Sequence, residues 1–138
     1  MDVHSKKIRS YNMSKVKSKS TKPEEIVRKF LFSEGFRYRK NDKNLPGTPD
    51  IVLPKYKTVI FVNGCFWHIH EDCDSFSWPS TNFKFWKDKL TANVERDKRN
   101  QEILREKGWI VLIVWECELK KKVREDRLDL LINQIIGS

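Results

Sequence analysis

Between residues 45 and 73 the chain gathers a carboxylate, Asp50, two imidazoles, His68 and His70, and two thiols, Cys65 and Cys73, with Phe66 and Trp67 among them. A third cysteine, Cys117, lies far along the chain. Three thiolates need one imidazole to complete a tetrahedral zinc site, and a short Cys-x4-His-x2-Cys loop closed by Cys117 would be pinned to whatever carries that residue. Either histidine can be the ligand by spacing alone. The other is then free near Asp50. A carboxylate that holds a divalent metal and an imidazole that takes a proton from water make a minimal site for phosphodiester hydrolysis. The competing readings are a structural histidine, an aspartate that merely follows Pro49 in a turn, and three buried thiols in a reducing cell.

Phe66, Trp67 and Trp86 are of the type that enters DNA as apolar wedges and unstacks a base step. Aromatic residues are more often core, but within residues 65–70 a metal ligand and all of its neighbours cannot point into one interior.

The elements that must position these groups follow from periodicity. A helix begins near residue 21, with Pro23, Glu24 and Glu25 in its first turn and Ile26, Val27, Phe30 and Leu31 as the inward stripe, and Gly35 ends it. Residues 36–40 are a short strand candidate. Residues 51–53 and 58–62 are β-rich runs joined across 54–57, which fits a hairpin. In an antiparallel pair the start of one strand lies beside the end of the next, so Asp50 is expected close to Val62 and Asn63. After a loop over 71–80, a helical stretch, continuous or broken, runs from about 81 towards 107, with Phe85, Trp86, Leu90, Val94, Ile103 and Leu104 as inward candidates, and Gly108 closes it. Residues 109–115 form a nearly continuous apolar run of the kind found in a strand covered on both faces. A last helix over about 124–136 places Leu128, Leu131, Ile132 and Ile135 at helical spacing. The order α, β, β, β, α, β, α describes an α/β domain, a mixed central sheet flanked by helices.

The totals narrow the partner. Lys and Arg number 28 against 19 acidic residues, a formal charge of +9 on 138 residues, which favours a polyanion such as nucleic acid over an anionic membrane surface. Residues 1–22 carry seven Lys and Arg against Asp2 and read as a basic arm suited to lying along phosphates, ahead of a single domain over 23–138. No run is long enough to span a bilayer and the first residues lack the apolar segment of a secretory signal, so the cytoplasm is the expected compartment.

Several motifs, in order, resemble the very short patch repair endonucleases, bacterial enzymes that nick DNA beside a T:G mismatch left by deamination of 5-methylcytosine. They are Asp2-Val3-His4, Arg9-Ser10, Asn12-Met13, Leu45-Pro46-Gly47 with Pro49-Asp50, Gly64-Cys65-Phe66-Trp67-His68, Asn93-Val94-Glu95-Arg96-Asp97 and Val111-Leu112-Ile113-Val114-Trp115-Glu116-Cys117. The resemblance implies a restriction-endonuclease-like core, a structural zinc ion and hydrolysis dependent on magnesium. It matches His68 to the catalytic histidine and His70 to the zinc ligand, with Cys65, Cys73 and Cys117. Asp50 matches the magnesium aspartate, aided by the backbone carbonyl of Val62, and Glu24 a glutamate near the site. Phe66, Trp67 and Trp86 match the intercalating aromatics, and Asn93, Lys15 and Lys17 are further expected DNA contacts. Double-stranded DNA with a T:G mismatch is the implied partner, with links to mismatch-repair proteins and to a cytosine-5 DNA methyltransferase, and a monomer is the default expectation. The chain departs from the family pattern at Val62-Asn63, where Thr-His is common, so that Asn63 replaces an imidazole in the catalytic set, and in the two-residue spacing between His70 and Cys73. A non-catalytic zinc-bearing DNA-binding module and a restriction-type nuclease cutting both strands of matched DNA are the alternatives.

Overall fold

A computed structural model of the protein describes residues 22–71 and 73–137. Residues 1–21 of the expected basic arm, with Lys15 and Lys17, lie outside the described residues, and its last residue, Lys22, opens the first helix. The elements are α1 (Lys22–Ser33), β1 (Arg39–Lys40), β2 (Ile51–Leu53), β3 (Thr58–Asn63), α2 (Phe83–Glu106), β4 (Ile110–Trp115) and α3 (Arg124–Ile136). The strands form one sheet in the order β1-β2-β3-β4. β1, β2 and β3 pair antiparallel, and β3 pairs parallel with β4 across the α2 connection. The sheet is therefore mixed, as expected.

Alternation along the strands sends side chains to two cores. Ile51, Leu53, Ile60 and Val114 face α1 and α3, where they meet Val27, Leu31, Leu128, Leu131 and Ile135. Val52 and Val59 point to the other face and meet Leu104 of α2, with Leu45, Phe61, Trp109 and Val111 packed around them. The β2–β3 hairpin has the expected register, Ile51 opposite Ile60 and Leu53 opposite Thr58, and turns through a 3-10 segment at Pro54–Tyr56 with Lys57 at φ 51°.

Two helix ends set a pattern that recurs at the site. After α1, the Gly35 N–H donates to the Phe32 carbonyl at 3.0 Å and the Phe36 N–H to the Leu31 carbonyl at 3.0 Å. After α2, the Gly108 N–H donates to Arg105 and the Trp109 N–H to Leu104, both at 3.0 Å. Each is a Schellman cap with glycine, at φ 92°, in the left-handed position and an apolar pair, Leu31 with Phe36 or Leu104 with Trp109, closing it.

Three expectations are corrected. The strand proposed for 36–40 shortens to Arg39–Lys40, because the Phe36 N–H is consumed by the α1 cap. The inward stripe of α2 is polar at its centre: only Leu90 and Leu104 are buried, whereas Phe85 and Ile103 are 58% and 40% exposed and Trp86 and Val94 are half-buried. Strand β4 is less covered than its composition suggests, with Val114 alone fully buried, because it is the sheet edge and α2 lays few apolar side chains on it.

Truncating Ile60, which is fully buried between β2 and the helices, is expected to cost about 3 kcal/mol, whereas Ile103→Ala should change stability by less than about 0.5 kcal/mol. Urea unfolding of both variants measures the difference, and similar losses would contradict the burial described.

Candidate active site and metal centre

The functional groups converge at the C-terminal end of β3. The hairpin register carries Asp50, one residue before β2, alongside β3, where the Val62 N–H donates to its Oδ2 at 2.6 Å. From the other side α1 delivers Glu24, a buried first-turn carboxylate. Asn41 joins the two: its N–H donates to the Asp50 carbonyl at 3.1 Å and its side-chain amide to Glu24 Oε1 at 3.4 Å. Arg28, on the same stripe of α1, lies 3.5 Å from Glu24 Oε1. Burial first, and the neighbouring Glu24 charge second, raise Asp50 from 3.8 to about 8, against the lowering effect of the Val62 N–H. Two carboxyls drawn together out of water form a site at which a divalent cation would be favoured over protons.

Residues 64–70 form a tight turn directly after β3. Within it the His68 N–H donates to Gly64 and the His70 N–H to Cys65. The turn throws its two imidazoles apart. His68 Nδ1 meets Asp97 Oδ2 of α2 at 2.5 Å, which leaves Nε2 with the lone pair when Nδ1 donates. The His70 ring stacks flat on Trp115, with centroids 3.9 Å apart and 2° between planes, and its Nδ1 lies 3.4 Å from Cys117 Sγ.

Cys65, His70, Cys73 and Cys117 bring their ligand atoms within 4.8 Å of one another. Parallel pairing makes this possible: Asn63 sits opposite Trp115, so the residues just beyond each strand end, Cys65 and Cys117, emerge side by side. Zinc–sulfur bonds of about 2.3 Å in a tetrahedron place sulfurs about 3.8 Å apart, so the cluster has the size and the soft donor set for zinc. Burial pushes the Cys65 thiol up to about 12, and burial also raises Cys117. Cys73 is lowered, chiefly by the Ser75 N–H that donates to its sulfur at 3.3 Å. A cation at the centre would be what makes all three ionise together.

The cleft that contains Asp50, Glu24, His68 and Asp97 has a volume of about 1260 Å³, and Val62, Asn63, Phe66, Trp67, Asn93, Arg96, Asn100 and Glu116 also line it. Asn63 is buried, 6% exposed, and Asn93 donates to the Trp67 carbonyl at 3.4 Å. On one wall Phe66, Trp67 and Trp86 make a mutual edge-to-face cluster, with centroids 5.2 to 5.9 Å apart, and Trp67 is 48% exposed. Exposed Lys84, Lys87, Lys89, Arg96, Lys98 and Arg99 line α2. The structure thus gathers Asp50, Glu24, Val62, Asn63 and His68 in one cleft and the four expected zinc ligands in a cluster beside it.

Two participants escaped the sequence reading. Asp97 was legible only as part of a motif, and Arg28 not at all. Their signal is a polar residue on an inward helical stripe: Leu90, Asn93, Asp97, Asn100 and Leu104 share one face of α2, and Glu24, Val27, Arg28 and Leu31 one face of α1.

The family model described as DNA mismatch endonuclease Vsr matches residues 1–75. The chain is 52% identical over 135 residues to the type II nicking enzyme V.NmeAIP of Neisseria meningitidis, covering 97% of this chain and 96% of that protein. It is 46% identical over 119 residues to the DNA mismatch endonuclease Vsr of Escherichia coli, covering 86% and 76% respectively. It is 48% identical over 111 residues to the type II nicking enzyme V.XorIIP of Xanthomonas oryzae, covering 80% and 81%. The protein belongs to the Vsr family of DNA mismatch endonucleases.

Proposed function

We propose that this endonuclease nicks one strand of duplex DNA 5′ of the thymine in a T:G mismatch arising from 5-methylcytosine deamination, so beginning very short patch repair. The observation that carries the reading is the shared cleft: the His68–Asp97 pair faces the same space as Asp50 and Glu24, beside an exposed aromatic wall. Asp50, with the Val62 carbonyl and Glu24 nearby, are the groups that would hold magnesium. When bound there, magnesium supplies positive charge against the charge that develops on the phosphate. His68 takes the proton from the attacking water, and Asp97 holds its ring and stabilises the imidazolium. Asn63 offers a buried amide at the cleft floor where an imidazole is common in the family. Phe66, Trp67 and Trp86 enter the base step at the mismatch, with Asn93 bracing the Trp67 backbone.

Cys65, His70, Cys73 and Cys117 would hold zinc, which would pin the turn rather than take part in the reaction. The basic arm with Lys15 and Lys17 and the cations of α2 contact phosphates. The protein acts as a monomer in the bacterial cytoplasm. Its substrate depends on a cytosine-5 DNA methyltransferase, and its product passes to mismatch-repair proteins. Among the described residues no helix is long and apolar enough to cross a membrane.

Asp50→Ala is expected to abolish nicking of a T:G duplex, and His68→Ala to slow it about 10²- to 10⁴-fold, while both still bind the duplex. Gel assays of cleavage and of binding separate the two effects, and full activity in either variant would overturn its assigned role. Replacing Phe66 and Trp67 with Ala should weaken mismatch preference about tenfold per ring, with a smaller loss on paired DNA. Equal losses on both substrates would remove the wedge.

The raised Asp50 carboxyl gives a third test. A carboxyl that binds its proton more tightly when folded adds stability that is fully present below its ordinary value of 3.8 and is lost as pH rises through about 8. Magnesium would take the place of that proton. The gain in melting temperature on adding magnesium should therefore grow as pH rises towards 8 and vanish in Asp50→Asn. A gain independent of pH, or kept in Asp50→Asn, would place the ion elsewhere.

A further inference from the structure

The turn at 64–70 is a third Schellman cap, built like those after α1 and α2. The Ile69 N–H donates to the Phe66 carbonyl at 3.4 Å and the His70 N–H to the Cys65 carbonyl at 3.0 Å. The other two caps have glycine in the left-handed position. Here that position is Ile69, a β-branched residue at φ 49°, where the side chain crowds its own backbone. The other two caps close with an apolar pair. Here the corresponding pair is Cys65 and His70, two members of the four-ligand cluster. So the one cap that lacks the permissive residue is the one whose closing pair can be joined by a metal.

The left-handed residue also decides where both histidines point. His68 precedes it and reaches Asp97 on α2, while His70 follows it and lies on Trp115 with its Nδ1 at Cys117. If Ile69 relaxed to a negative φ, the chain would leave the turn in another direction, and the His68–Asp97 contact and the Cys65–His70 approach could not both survive.

We propose that Ile69 is a positioning residue whose strained conformation is held by metal ligation at Cys65 and His70, so that the metal cluster sets the orientation of His68. The proposal rests on reading the four-residue cluster as a zinc site and His68 as the base. Occupancy of the cluster is then coupled to the readiness of the nuclease centre through a single backbone torsion. Part of the zinc binding energy goes into keeping Ile69 left-handed, and a residue that takes this conformation freely returns it as affinity.

The test is zinc affinity, measured by competition with a chromogenic chelator, in the full chain and in Ile69→Gly, Ile69→Asn and Ile69→Val. Glycine should bind zinc about 5- to 30-fold more tightly than the natural protein, asparagine should show a smaller gain, and valine should bind as isoleucine does. Asparagine keeps the test open if the glycine variant folds poorly. A second readout is the imidazole NMR signal of the Nδ1 proton shared by His68 and Asp97. On chelation it should disappear in the natural protein and persist in Ile69→Gly. Equal zinc affinity across the series, or a His68 signal indifferent to chelation, would overturn the proposal. Failure of the natural protein to bind zinc at all would instead overturn the reading of the cluster.

Discussion

Everything at this site depends on β3 being paired on both edges, antiparallel to β2 and parallel to β4. The antiparallel edge puts the residue before β2 level with the end of β3, and that residue is Asp50. The parallel edge puts the residues beyond both strand ends together, and those are Cys65 and Cys117. One strand end thereby carries a carboxylate cleft on one side and a thiolate cluster on the other. A one-residue slip in either pairing would turn alternate side chains to the wrong face of the sheet and separate both sets of groups.

The short turn after β3 then divides the labour. Its two imidazoles are only two residues apart, yet one meets a helix carboxylate and the other a tryptophan face and a thiol. Trp115 separates the two environments, since the His70 ring stacks flat on it while the His68 ring stands edge-on to it at 6.4 Å. Asp50 in the cleft and Cys65 and Cys117 in the cluster sit where burial disfavours ionisation, the condition under which a cation binds in exchange for protons. A metal bound at either place would act on stability and on chemistry through the same residues.

The parts legible in the sequence were those fixed by local rules. Hairpin register alone placed Asp50 beside Val62, and glycine at 35 and 108 marked helix ends that the structure keeps. The count of thiols called for one imidazole, and the cluster contains one. What the sequence concealed was set by tertiary contact. Asp97 is 29 residues from His68, and only the packing of α2 against the turn brings them together. Phe85 and Ile103 matched an inward stripe by type, but the cleft takes the middle of that helix face for Asn93, Asp97 and Asn100 and leaves those two apolar residues exposed. The spacing of His68 and His70 could not assign their roles, because a left-handed isoleucine between them is a conformation no propensity anticipates.

The central claim is that this cleft cuts one strand at a T:G mismatch. It is tested most directly by incubating the protein with two end-labelled duplexes of the same sequence, one carrying a T:G mismatch and one fully paired, in magnesium. The account predicts a single nick 5′ of the mismatched thymine, with the opposite strand intact and the paired duplex uncut. Cleavage of both strands of the paired duplex, or no nick at high protein concentration, would contradict it.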